Sequence, residues 1–147
     1  MSILTGAIIG GIIGLLVAFI TYFAKEQRFN KILKTITEPM DYVALYHYAS
    51  YKRYKSSFKF FDSYGALYLV GKTVYYKATP AETPVAFDMN ICSVQQEADW
   101  RWLKWFSITT PAGEKFYFNS NKMGAFKNNS EETLKGFAAI KAKTTAQ

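Results

Sequence analysis

The sequence predicts a mainly-β domain with helices, placed behind an N-terminal apolar helix. Three observations carry this. Ile3–Ala24 is about 22 residues without a charge, past the ~20 that cross the hydrocarbon core of a bilayer. From Asp41 onward, short runs alternate apolar and polar residues between Gly and Pro turns, the period of half-buried strands. After Ser130 the pattern returns to a helical one.

Ile3–Ala24 would be roughly 33 Å long as a helix. A lone segment can span lipid only as a helix, because every backbone N–H and C=O must be paired within it. Residues 1–24 are therefore expected to be a transmembrane anchor. A cleaved signal peptide would want a basic start and a small residue where the bulky Tyr22 stands. A buried core helix of this length is rare in so short a chain. The single cysteine, Cys92, is far too distant for a lipoprotein site. Lys25, Arg28, Lys31 and Lys34 follow the span, with no basic side chain before it. The positive-inside rule then puts the N-terminus outside and the C-terminal part in the cytoplasm, at a single-pass position in the inner (cell) membrane. Gly6, Gly10 and Gly14 recur every four residues and stack on one helix face. That spacing suits close helix–helix contact, with a second copy or a partner membrane subunit.

The remainder is enough for one soluble domain. Hydrophobic residues make up 50% and aromatics 18%, a loading that suits strands and argues against disorder. The net charge is +7, much of it near the span, where the anionic cytoplasmic leaflet attracts it. No helix-turn-helix, zinc-finger or RNP-type string accompanies the charge, so a nucleic-acid partner is not expected. A lone cysteine agrees with a reducing compartment, and Cys92 reads as a small core residue. The Asn128–Asn129–Ser130 sequon would go unused in the cytoplasm.

Residues 25–40 read as a juxtamembrane amphipathic helix. Phe29, Ile32, Leu33 and Ile36 share one face, and Pro39 ends it. That face would lie on the membrane or pack on the following domain. Residues 41–147 read as the domain. Asp41–Ala49 is the first strand, and His47 within it has no neighbouring ligand to suggest a metal. Lys52, Arg53, Lys55 and Lys59 follow, interleaved with Tyr51, Tyr54 and Phe58, in a stretch read as a solvated loop or a lipid-headgroup contact. Gly65–Val70 and Thr73–Ala78 form a hairpin about Gly71–Lys72. Thr79–Pro84 is a loop, and Val85–Met89 and Ile91–Val94 are further short strands. Gln95–Asp99 breaks the pattern. Trp100–Thr110 is expected as a long strand whose indoles cover core and edges, with Phe106 and Ile108 buried. A cation cage or base-stacking platform is the functional alternative for those tryptophans. Thr110–Gly113 is a turn, and Glu114–Asn119 returns with Phe116 and Phe118 inward. Ser130 is an N-cap with Glu131 and Glu132 in the first turn. Leu134, Phe137, Ala138 and Lys141 form the expected helix face, with Ile140 flanking it.

GALYLVGKTVYYKA resembles the first hairpin of GRAM and bacterial pleckstrin-homology-like (PH-like) domains, although Val70 stands where the family has Thr. WFSITTPAGEKFYF resembles their later hairpin and SEETLKGFAAIKA their closing helix. The resemblance covers about Asp41 to Lys143. It implies a partly open antiparallel barrel of about seven strands, capped by a C-terminal helix, in a family many of whose members bind lipid headgroups or peptides and many of whose bacterial members have no known ligand. Fold analogy does not itself transmit function.

An enzyme needs a nucleophile with its base, paired carboxylates or metal ligands, and these residues supply none. No phosphate-cradling glycine loop is present either. The expectation is a non-enzymatic membrane protein with no metal and no cofactor. It would present Lys52, Arg53, Lys55 and Lys59 to the anionic leaflet. The alternative is a structural subunit assembled through the glycine face and the aromatic surface.

Overall fold

The computed structural model describes residues 3–56, 59, 61–100, 103–120, 122–123 and 128–145. Helix α1 spans Ile3–Leu33, roughly 46 Å at helical rise. It is long and apolar enough to cross a membrane, and its most apolar window has a mean hydropathy of 2.3 and is nowhere buried. Leu15 and Phe19, for example, are 73% and 67% exposed. The helix ends at Leu33, well before Pro39, where the sequence pattern ends it. Its last turn is closed by Thr35, whose N–H and hydroxyl both donate to the Ile32 carbonyl, at 2.9 and 2.7 Å. Three β-branched residues in a row, Thr35, Ile36 and Thr37, favour this early stop.

The rest of the chain runs β1 (Tyr42–Ala49), α2 (Tyr51–Tyr54), β2 (Ser63–Val70), β3 (Thr73–Lys77), β4 (Val85–Asp88), β5 (Ser93–Gln96), β6 (Phe106–Thr109), β7 (Lys115–Asn119), β8 (Lys122–Met123), β9 (Asn128–Asn129) and α3 (Glu131–Thr145). Strands β1–β7 form one antiparallel sheet in the order β4-β3-β2-β1-β7-β6-β5, and β8 and β9 form a separate ribbon. The β2–β3 turn works because Gly71 adopts a φ of 59°, a left-handed conformation that costs glycine nothing. Two meanders therefore join where β7 pairs with β1, through His47↔Asn119, Tyr48↔Phe118 and Ala49↔Tyr117.

The sheet is open, with β4 and β5 as its edges, but it is strongly curled. Flat, β4 and β7 would lie about 19 Å apart, four strand spacings. Instead the rings of Phe87 (β4) and Phe116 (β7) meet edge-on at 4.9 Å. The short β4–β5 connection also requires this, since five Cα steps reach at most about 18 Å.

Curling gives the sheet an inner and an outer face, and the strand alternation decides what lies on each. Tyr46, Leu67, Leu69, Val74, Phe87, Phe106, Ile108 and Phe118 fill the inner face, together with Ile140 from α3. Phe116 and the half-buried Cys92 pack against this core. The outer face carries two smaller clusters. Ile32 joins Ala66 and Tyr68, with Phe29 and Ile36 beside them. Tyr54 joins Ala49, Trp105 and Tyr117.

Three expectations need correction. β5 is Ser93–Gln96 rather than Ile91–Val94: the glutamines are exposed edge-strand residues, so polarity does not end the strand. Among the described residues of the expected long tryptophan strand, the strand is Phe106–Thr109, preceded by an isolated bridge between Trp100 and Leu103. In α3 the buried positions are Thr133, Gly136 and Ile140, with Leu134 and Ala138 exposed. The helix turns its smallest residue to the sheet because the Tyr46 hydroxyl occupies the space where a Gly136 side chain would stand.

Candidate functional site

The junction between α1 and the sheet is built from polar contacts as well as apolar ones. His47 alternates onto the outer face of β1 and is only 6% exposed. Its Nε2 lies 2.9 Å from Lys25 Nζ, and the ring of Phe61 stacks on it at 4.1 Å. An ammonium only donates, so Nε2 is the acceptor and the imidazole is neutral. Burial, then the Lys25 charge, lowers the His47 pKa from 6.5 to about 4, against a smaller opposing contribution from the Asn119 backbone. Lys25 and Arg28 both stand over the Tyr64 ring, at 5.1 and 4.5 Å. Further along, the buried Lys77 donates from Nζ to the Thr35 hydroxyl at 2.8 Å. Lys31 and Lys34 are exposed. So α1 runs along the outer face of β2 in that strand's own direction, from Tyr64 toward Tyr68. The apolar helix consequently leaves the sheet at the end where β1 connects to β2.

The basic stretch occupies that same connection. Tyr51–Tyr54 is a single helical turn, too short to persist by propensity, and it is held by packing. Tyr54 stacks on Tyr117 at 4.4 Å, meets Trp105 edge-on at 5.1 Å, and donates from its hydroxyl to the Ala98 carbonyl at 2.7 Å. Burial, with Glu97 nearby, pushes its pKa up to about 12. Lys55 stands over the rings of Tyr54 and Trp100, at 4.7 and 5.1 Å. Arg53 pairs with Asp62 at 3.4 Å, and the Asp62 carboxylate also accepts from the Ser50 N–H. Lys52 and Lys59 are exposed. The expected cluster is thus two solvated lysines beside two cations already engaged by the protein. Trp105 is buried and Trp100 half-buried, whereas Trp102 and Phe58 lie outside the described residues.

A cleft of about 300 Å³ opens on the inner face, lined by Tyr48, Ser63, Tyr76, Glu82, Phe116 and Phe118 among others. Ser63 Oγ and the Tyr76 hydroxyl share a hydrogen bond of 2.9 Å. Tyr48, Ser63 and the loop bearing Glu82 place its mouth at the end from which α1 leaves. The opposite end is closed by α3. There Tyr42 donates to Glu132 Oε1 at 2.6 Å and Tyr46 to the Glu132 carbonyl at 2.7 Å.

Sequence reasoning did not find this cleft or the Lys25–His47 pair. For the cleft a signal existed: inward aromatics on β1, β3 and β7 exceed what a thin core holds. Glu82, between two prolines, gave none. Nor did His47, because its partner is 22 residues away. Gly6, Gly10 and Gly14 present an open strip: among the described residues, nothing beyond the adjoining residues and the helix's own backbone lies within 4 Å of an added Cβ. Among the described residues no group of acidic, His and Cys side chains is arranged to hold a metal. No protein-family model matches the chain, and no curated protein matches it either.

Proposed function

We propose that the chain is a non-enzymatic, single-pass membrane protein whose PH-like module faces the anionic cytoplasmic leaflet. One observation carries the reading: the connection bearing Lys52 and Lys59 lies at the end of the sheet from which the apolar helix departs, fastened there by Lys25, His47 and Phe61. A helix crossing the bilayer through Ile3–Ala24 would hold these lysines near the headgroups, where each contributes about 1 kcal/mol. It would also raise their effective concentration toward any membrane ligand. The strand order and the helix closing the far end are compatible with the PH-like resemblance. The test uses the full chain in nanodiscs of neutral or anionic lipid. Amide exchange in residues 51–56 slows in anionic discs, and the effect disappears at high salt or in Lys52→Ala/Lys59→Ala. Equal exchange in both discs overturns the reading.

The open strip of Gly6, Gly10 and Gly14 supports a second reading, a subunit of a larger membrane assembly. Sizing in mild detergent separates the two. An assembly disrupted by Gly10→Ile favours the subunit, and a monomer speaks against it.

A further inference from the structure

The cleft has a chemistry of the opposite sign to the basic connection. Its wall is aromatic: the Tyr48 ring lies 5.8, 5.7 and 5.9 Å from those of Tyr76, Phe116 and Phe118. Its polar groups are hydroxyls and the carboxylate of Glu82. Among the described residues Glu82 makes no ion pair and no hydrogen bond. The negative charge of Glu82 reaches Tyr76, and those of Glu114 and Asp62 reach Tyr48. Glu114 is also without an ion pair among the described residues, whereas Asp62 is paired with Arg53. Among the described residues the cation that reaches Tyr76 is Arg28, and it is engaged over the Tyr64 ring.

Aromatic faces attract cations, and a free carboxylate adds to that attraction while repelling phosphate. The volume of about 300 Å³ is that of roughly ten liquid waters. It fits one alkylammonium head and no folded peptide. The mouth opens toward the end from which α1 departs. We propose that this cleft takes the ammonium group of a zwitterionic lipid headgroup, with Glu82 as its counter-charge and Tyr48, Tyr76, Phe116 and Phe118 as its wall. The lipid source rests on the membrane reading above; the cation chemistry does not.

The test separates the two. The full chain in maltoside micelles is titrated with choline chloride, followed by saturation-transfer NMR of the choline methyls. Binding is saturable, and Glu82→Gln weakens it at least about fivefold, the scale of one cation–π or exposed charge contact. Lys135→Ala, exposed on α3 at the far end of the sheet, leaves it unchanged. The uncharged isostere 3,3-dimethylbutan-1-ol competes poorly. No saturable binding, equal binding of the isostere, or an unaffected Glu82→Gln each overturns the cation site. The titration is then repeated in nanodiscs of choline-headed or neutral galactosyl-headed lipid. Lipid already in the cleft weakens added choline severalfold in the first. Equal affinity in both discs overturns the lipid source, and leaves the basic-connection reading to its own exchange test.

Discussion

His47 is the chain's single histidine, and it is held neutral in a place where protonation would be costly. The folded-state pKa of about 4 lies below the unfolded value of about 6.5. Between these values the unfolded chain binds the extra proton, so stability falls as pH falls from 6.5 toward 4. The shift corresponds to roughly 3 kcal/mol at most, fully present above pH 6.5 and lost below 4. Carboxylates titrate in the same window, so the comparison that isolates His47 is with His47→Gln. Thermal melts of the full chain in micelles at pH 7 and 5 should show a smaller drop for that variant. Lys25→Met should also flatten the slope, because the ammonium contributes to the depression. At the other end of the sheet, a Cβ on Gly136 would lie 2.0 Å from the Tyr46 hydroxyl and 3.1 Å from that of Tyr42. Both hydroxyls are fixed by Glu132, so neither yields cheaply. Gly136→Ala should cost about 1–3 kcal/mol, despite the better helix propensity of alanine. Adding Tyr46→Phe should recover part of that loss, and a double-mutant cycle on melting temperatures would measure the coupling.

At the scale of elements, α2 shows what packing does where propensity cannot. One turn of helix persists because Tyr54 fills a slot among Ala49, Trp105 and Tyr117. Tyr54→Ala should cost about 3 kcal/mol and release the connection. The measurable result is faster tryptic cleavage after Lys52, Arg53 and Lys55, at a pH and temperature where the far-UV spectrum is unchanged. Ile32→Ala, which opens the other outer cluster, should cost about 2–4 kcal/mol and leave that cleavage slow. These elements also mark what was legible in the sequence. The first hairpin was legible because alternation and a glycine turn agree, and Phe106, Ile108 and Phe118 were legible as inward residues by the same period. The face of α3 was not, since hydrophobicity alone favours Leu134 over Gly136 and ignores how closely Tyr46 approaches. β5 was placed two residues early because an edge strand can carry glutamines. Trp100 and Trp105 mimicked a strand because tryptophan has strand propensity, although their indoles pack in the outer cluster. The cleft depends on sheet curl, which no local pattern records.

At the scale of the whole molecule, one helix belongs both to the apolar segment and to the sheet. No linker intervenes between Ala24 and Phe29, and the contacts of Lys25, Arg28 and Ile32 lie on consecutive turns. Each helical residue adds about 1.5 Å of rise and 100° of rotation. A single alanine inserted after Phe23 therefore moves the apolar segment relative to the sheet, while every contact from Lys25 onward keeps its register. The same insertion after Arg28 turns Lys25 and Arg28 by about 100° away from His47 and Tyr64, or else lifts Phe29 and Ile32 out of their cluster. The two variants have identical composition and length. The first should melt within about 1 °C of the parent, and the second several degrees lower, given the roughly 2–4 kcal/mol held at that junction. In nanodiscs the first should still alter exchange in residues 51–56, because the basic connection is re-aimed relative to the headgroups. If both insertions melt alike, the helix and the sheet are not joined as a unit, and the placement of Lys52, Lys59 and the cleft mouth toward one end loses its physical basis.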